Sequence, residues 1–322
     1  AIETSCDDTS VAIVEDLFDK GKGWVSAVIS ASQDLVHSPF GGIVPEIACR
    51  NHSIHLIPLV EEVFKKTQKS WDDIDGIAVT SRPGLIGALI VGLVTAKSFS
   101  QAKKIPYIGI NHLEGHILAP FLRDSTYQPS ETFDFPFIAL AVSGGHTSLY
   151  FVKGPDSYEV LGSTLDDAAG EAFDKFGKSL GLGWPGGVKI DKLSVNGNPK
   201  AYEFPRGMIK ESNCMMSFSG LKAAGQRLIN SMSKEDIKKN LPDLCASYQE
   251  AIIEVLLTKL DHAVQEINIK KVVITGGVSA NSRLRAAAQE WANKNKIQLL
   301  IPPLRYCTDN AAMIGYAGLL RM

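Results

Sequence analysis

Two histidines four residues apart, in His112-Leu-Glu-Gly-His116, are the spacing in this 322-residue sequence with the clearest chemical content. On a helix an i, i+4 pair lies on one face, so both imidazoles can reach one divalent ion. A metal needs at least one more ligand, and Asp309 in Cys307-Thr-Asp-Asn310 stands at a helix start after the last strand, a natural place for an acidic donor. Two neutral nitrogens and one carboxylate suit Zn2+ or Fe2+ and leave a coordination position open for substrate. Cys307 is a rival donor by chemistry. The plainer reading is a pair of surface histidines, and His52 with His55 is a second helical pair with no assigned task. Glu114 stands between the histidines, H-x-E-x-H. Two residues from each His puts it about 200° around the helix, away from the metal, whereas metallopeptidase motifs place the acid next to a His. Peptidase chemistry is disfavoured.

The second chemical signal is a repeat. Ser5-Cys-Asp-Asp-Thr-Ser-Val-Ala-Ile-Val14 overlays Ser143-Gly-Gly-His-Thr-Ser-Leu-Tyr-Phe-Val152 at a constant offset. Each is Ser, a short polar turn, Thr-Ser, then an apolar strand. Thr80-Ser-Arg-Pro-Gly-Leu-Ile-Gly87 and Thr275-Gly-Gly-Val-Ser-Ala-Asn281 follow in the same order as strand, Gly turn and helix. Clustered backbone N–H groups in such turns can cradle an anion where a side chain would block it. Gly144 and Gly145 are expected to hold φ > 0 there. Two halves facing across a cleft resemble the duplicated domains of actin, Hsp70 and sugar kinases, which imply a nucleotide or phosphate site.

These residues need a frame to hold them, and the pattern supplies an α/β one. Strands are expected over 11–14, 24–29, 74–79, 107–110, 137–142, 147–152, 158–161, 271–275 and 298–301. Helices are expected from Pro45, and over 86–102, 112–122, 167–180, 218–232, 244–267, 281–295 and 309–320. Ile47, Ile54, Ile57, Val60 and Phe64 form an apolar stripe on the first helix. On the second, Ile86, Leu89, Ile90, Leu93 and Phe99 are expected to face inward. Residues 183–216, rich in Gly, Pro and Asn, read as surface loops. A polar and aromatic stretch at 124–135 reads as a linker, giving domains 1–132 and 133–308, with the last helix, 309–322, packing back on the first.

The motif series resembles one family from end to end. It runs through Ile2-Glu-Thr-Ser-Cys-Asp-Asp-Thr9, Gly41-Gly-Ile-Val-Pro-Glu46, Pro83-Gly-Leu85, His112-Leu-Glu-Gly-His116 and Val142-Ser-Gly-Gly-His-Thr147. It continues through Asp166-Asp-Ala-Ala-Gly-Glu-Ala-Phe-Asp-Lys175, Trp184-Pro-Gly-Gly187, Ser217-Phe-Ser-Gly-Leu-Lys222, Gly276-Gly-Val-Ser-Ala-Asn281 and Cys307-Thr-Asp-Asn310. The order and spelling resemble the TsaD family of tRNA N6-adenosine threonylcarbamoyltransferases, once labelled glycoprotein endopeptidases. The resemblance implies two actin-like domains around a central cleft. It also implies transfer of a threonylcarbamoyl group from threonylcarbamoyl-adenylate to N6 of adenosine 37, in tRNAs reading codons that begin with A, with release of AMP.

By the same resemblance His112, His116 and Asp309 hold one divalent ion per subunit, Fe2+ or Zn2+. The turn of Val142, Ser143, Gly144, Gly145 and His146 holds the acyl-adenylate, and Asp174, Gly187, Asp191 and Asn281 contact its adenosine; ATP or ADP is the alternative nucleotide. Asp7 and Asp8, facing the donor, are the candidate proton acceptors, the alternative being that they cap their own turn. Implied partners are tRNA, a non-catalytic paralogue of the same fold (TsaB-like) and a small ATPase (TsaE-like), with a homodimer as another assembly. Arg82, Asn111, Val188 and Ala223 depart from common family spellings, and none is a proposed ligand.

Composition narrows the field further. With 33 Lys+Arg against 35 Asp+Glu the net charge is −2, so no overall basic field coats nucleic acid. Five cysteines without a CxxC spacing fit a reduced compartment. No 18-residue apolar run occurs, so no membrane association is expected. A cytoplasmic enzyme is expected, with a mitochondrial member lacking its transit peptide as the alternative. A kinase or ATPase on the same fold, or a nucleotide-closing chaperone-like module, would leave the histidine pair idle.

Overall fold

The computed structural model describes residues 1–17 and 22–322. The chain divides into two compact units, Ala1–Thr132 with Pro302–Met322, and Phe133–Ile301. In the first, β1 (Ile2–Glu3), β2 (Thr9–Asp16), β3 (Gly23–Ala31), β4 (Ile77–Arg82) and β5 (Tyr107–Asn111) form a sheet in the order β3-β2-β1-β4-β5. In the second, β6 (Phe137–Val142), β7 (Thr147–Gly154), β8 (Ser157–Ser163), β9 (Lys271–Thr275) and β10 (Gln298–Leu300) form the order β8-β7-β6-β9-β10. Each sheet is two antiparallel steps followed by two parallel ones. The repeated motifs therefore sit at equivalent places: the β1–β2 and β6–β7 turns, and the ends of β4 and β9.

The strands follow from their residues. β6 is apolar and buried along its whole length, as a strand covered on both faces requires. Helix Leu241–Ile267 covers part of that sheet with an almost fully buried stripe. Its Tyr248 stacks on Phe176 at 3.8 Å between ring centroids and donates its hydroxyl to Ala172 O at 3.2 Å. Burying side chains of this size contributes about 1.5–3 kcal/mol each.

Three sequence expectations need correction. Residues 183–216 contain a helix, Gly186–Ser194, with Ile190 fully buried. Its composition hides it because Asp174, twelve residues upstream, caps its start and Gly186 lies against Gly177. On helix Pro45–Thr67, Val60 is buried and Phe64 packs against the core as expected, but Ile54 and Ile57 are exposed, and Ala48, His52, Leu56, Leu59 and Val63 complete the inward face. On helix Ile86–Lys103 the inward residues are Ala88, Leu89, Gly92 and Ala96, while Ile86 and Ile90 are 75% and 51% exposed. The cause is close approach. A Cβ at Gly92 would fall 2.3 Å from Thr4 Oγ1, and Thr4 donates to Ala88 O at 2.9 Å. Small residues therefore face the sheet there and Ile86 and Ile90 turn out, while Leu89 is buried as expected and Leu93 and Phe99 pack against the core.

Candidate functional site

The histidine pair opens the short helix His112–Leu118, which follows β5 directly and is capped by Asn111 accepting from Leu113 N at 2.9 Å. Asn111 is one of the departures from family spelling, and here it works as a helix cap. Gly115 lets this helix meet helix Ala311–Leu319, since a Cβ there would fall 2.8 Å from Ile314 Cδ1. Asp309 immediately precedes that second helix, whose cap Asn310 accepts from Met313 N at 3.0 Å. Packing of two helices far apart in sequence thus brings Asp309 Oδ1 to 3.0 Å from His116 Nε2 and 3.4 Å from His112 Nε2.

The ligand atoms of His112, His116 and Asp309 lie within 4.8 Å of one another. Behind them, His112 Nδ1–H donates to Glu3 Oε2 at 3.0 Å and lies 3.1 Å from Ser5 Oγ. Glu3 is fully buried and also accepts from Thr80 Oγ1 at 2.6 Å. A carboxylate on Nδ1 selects the tautomer whose Nε2 lone pair faces the cluster, which is how proteins orient a metal-binding imidazole. The donor set therefore fits a borderline divalent ion.

The electrostatics agree with that fit. Burial alone would raise the carboxyls of Glu3 and Asp309. The His112 charge outweighs it, holding Glu3 below the usual carboxylate range and Asp309 well below it. Burial would lower His112, but the two acids raise it well above the ordinary histidine value. Binding of a cation releases that proton. Glu114 belongs to another pair, with Arg321 Nη1 3.1 Å from its Oε2. Cys307 is turned toward the carbonyls of Pro302 and Pro303, so the rival ligand is engaged elsewhere.

Asp7 and Asp8 occupy the β1–β2 turn. Burial, then the charge of Asp309, pushes Asp7 up to about 6. Burial, then Asp7 and Asp309, pushes Asp8 up to about 7. Asp8 Oδ1 has no hydrogen-bond partner, so that oxygen is not used to cap the turn.

In the second unit the β6–β7 turn closes on itself: Ser143 N donates to His146 O at 2.7 Å, and His146 N to Ser143 Oγ at 3.1 Å. Gly144 and Gly145 are exposed, and a Cβ on either would meet no atom within 4 Å. The positive φ expected there is absent; the left-handed glycine beside this turn is Gly276, at φ 89°, where a Cβ would fall 2.5 Å from Val142 O. Asp174 Oδ1 accepts from Gly186 N at 2.8 Å and Gly187 N at 3.1 Å. Asp191 accepts from Ser282 N and Oγ at 3.0 and 2.8 Å. The neighbouring Asn281 caps helix Ser282–Asn295 through Leu284 N and donates to Gln249 at 2.6 Å. The structure thus joins Asp174 to Gly187, and Asp191 to the segment of Asn281. Carboxylates engaged this way keep lone pairs for further donors such as ribose hydroxyls.

Residues 25–316 match the family model described as TsaD, tRNA N6-adenosine threonylcarbamoyltransferase. The chain belongs to the TsaD family. A relative of that name in Bdellovibrio bacteriovorus is 64% identical over the whole chain and 92% of its own length. One in Anaeromyxobacter dehalogenans is 48% identical over 99% of this chain and 92% of its own. Among solved structures, full-length HypF in its phosphate- and nucleotide-bound form aligns with a TM-score of 0.58 at 13% identity, over 83% of this chain and 41% of its own. Component A of (R)-2-hydroxyglutaryl-CoA dehydratase from Acidaminococcus fermentans aligns with a TM-score of 0.53 at 14% identity, over 99% and 94%. These likenesses show the fold, the duplicated α/β class of actin and Hsp70.

Several residues that support the site of this TsaD family member carry little local signal. Glu3 stands in the Ile2–Thr9 motif, an acid beside Ile2 in the opening strand, without an assigned partner. Ser5 and Thr80 lay within the repeated motifs without an assigned partner. Gly170 stands in the Asp166–Lys175 motif without an assigned role: it donates N–H to Ser143 O at 3.2 Å, and a Cβ there would fall 2.5 Å from that oxygen.

Proposed function

We propose that this chain transfers the threonylcarbamoyl group from L-threonylcarbamoyladenylate to N6 of adenosine 37 in tRNAs reading codons that begin with A. The observation that carries the reading is the convergence of His112, His116 and Asp309, backed by Glu3, in a chain whose full-length relatives bear that enzyme's name. An ion held by these three residues, Fe2+ or Zn2+, would supply Lewis acidity toward the donor's phosphate or carbamoyl oxygen. The exposed turn of Ser143, Gly144, Gly145 and His146, following Val142, receives the phosphate. Asp174, Gly187, Asp191 and Asn281 receive the adenosine. The N6 amine attacks the carbamoyl carbon, the bond from that carbon to the phosphate oxygen breaks, and AMP leaves with the electron pair. Asp7 or Asp8, both raised toward neutrality, takes the proton from N6, where an acceptor of matched basicity is most effective.

The two units, Ala1–Thr132 with Pro302–Met322 and Phe133–Ile301, are read as duplicated domains. The partners are tRNA, a TsaB-like paralogue and a TsaE-like ATPase, with a homodimer as the alternative. The solvent-facing Ile54, Ile57, Ile86, Ile90 and Val94 suit such a protein contact, and a net charge of −2 suits shared tRNA binding. No helix among the described residues is long and apolar enough to cross a membrane, and the cytoplasm is the proposed compartment. The deciding experiment incubates the chain with threonylcarbamoyl-adenylate and unmodified tRNA, with and without both partners, and reads adenosine 37 by mass spectrometry. Modification that needs intact His112 and Asp309 is expected; unmodified adenosine in every arm overturns the reading.

A further inference from the structure

The histidine pair of helix Pro45–Thr67 has no place in the chemistry above, yet one member is fully buried. His52 has no solvent exposure and uses both ring nitrogens on the β1–β2 turn. Its Nε2 lies 3.0 Å from the carbonyl oxygen of Cys6, and its Nδ1 lies 2.8 Å from Thr9 Oγ1. A carbonyl only accepts, so Nε2 carries the hydrogen and Nδ1 accepts from the Thr9 hydroxyl. The two contacts fall one residue before Asp7 and one residue after Asp8. Asp7 and Asp8 feel each other, Asp309 and Asp34 as like charges, a repulsion that tends to open the turn.

We infer that His52 is a positioning residue, a neutral imidazole of fixed tautomer that brackets the acidic turn at both ends and holds Asp7 and Asp8 in place. It touches neither carboxylate. The inference rests on the reading of those two residues as proton acceptors. The neighbouring histidine, His55, has no such contacts to the turn among those described.

The test compares His52→Ala, His52→Gln and His52→Asn in the tRNA transfer assay with partners present. Misplacing a reacting group by about 1 Å costs up to about 10²-fold in turnover, so His52→Ala should lower kcat about 10–100-fold, with KM for the acyl-adenylate and metal content unchanged. Gln places its amide near the Nε2 position and should restore more of kcat than Asn. Imidazole 15N shifts of the unmodified protein should report a neutral Nε2–H ring at pH 7. Where His52→Ala does not fold, Thr9→Val removes only the hydroxyl donated to Nδ1 and should still lower kcat. Wild-type kcat in the folded variant, or a charged or Nδ1–H ring, overturns the inference. Asp7→Asn and Asp8→Asn run in parallel. Full turnover in both overturns the acceptor reading and the purpose assigned to His52 with it. Loss there beside wild-type turnover in His52→Ala overturns the bracket alone.

Discussion

Replacing Glu3 by Gln tests how the histidine–aspartate cluster is built. Glu3 presents acceptors only: Oε2 takes the His112 Nδ1 proton and the Thr80 hydroxyl, and Oε1 takes Ser5 N–H. Gln has one acceptor and one donor in the same volume. With its oxygen toward His112, the amide NH2 opposes Ser5 N–H, and a buried unmatched donor costs about 1–3 kcal/mol. With the amide flipped, NH2 faces His112 Nδ1 and favours the Nε2–H tautomer, whose lone pair points away from the cluster. Either arrangement weakens the site. Loss of such a supporting carboxylate lowers metal affinity about 10–100-fold, which is about 1.4–2.7 kcal/mol. Competition titration of Zn2+ and Fe2+ against a chelator measures that directly, and melting of the metal-free protein measures the packing term separately. A Glu3→Gln protein that folds and binds metal with wild-type affinity would refute the argument that Glu3 orients His112.

Three further outcomes are expected. Asp8 binds its proton more tightly folded (about 7) than unfolded (3.8), so its contribution to stability is lost as pH rises through that interval. Asp8→Asn should therefore stabilise the metal-free protein at pH 8 by about 2 kcal/mol, discounted for partial solvent access, and change little at pH 4; parallel pH profiles by urea melting would count against it. Gly170→Ala drives a methyl into Ser143 O, and overpacking of about 1–3 kcal/mol should weaken binding of an acyl-adenylate analogue by about 5- to 150-fold; calorimetry showing unchanged affinity would contradict this. Ile54→Asp with Ile90→Asp alters exposed positions, so melting should move by less than about 0.5 kcal/mol while association with the paralogue, read by sedimentation, is lost. Intact association would remove those residues from the interface.

The chemistry-bearing residues were legible where a local rule exposes them. An i, i+4 histidine pair reads directly as one helix face, and Glu114 between them reads as off that face; the Arg321 contact agrees. The helix starting at Pro45 and the strands 137–142 and 271–275 needed only apolar runs and a proline to be placed. The helix at Gly186 was illegible because its cap comes from Asp174 on another element. Helix faces were legible only in part, for a related reason. At Gly92 the backbone comes so close to Thr4 that small residues join the buried face, so Ile86 and Ile90 turn outward while Leu89, Leu93 and Phe99 keep to the core side.

By itself the sequence determined the α/β class, the duplicated order of turn and strand motifs, and the residue types able to hold a metal or an anion. These are consequences of local periodicity and of glycine spacing, which survive without knowledge of neighbours. Tertiary structure decided which groups support them: Glu3 behind His112, Gly170 beneath Ser143, and His52 on both sides of Asp7 and Asp8. Each of these is a contact between elements far apart in the chain. Its meaning comes from burial and hydrogen-bond partners that no local pattern encodes.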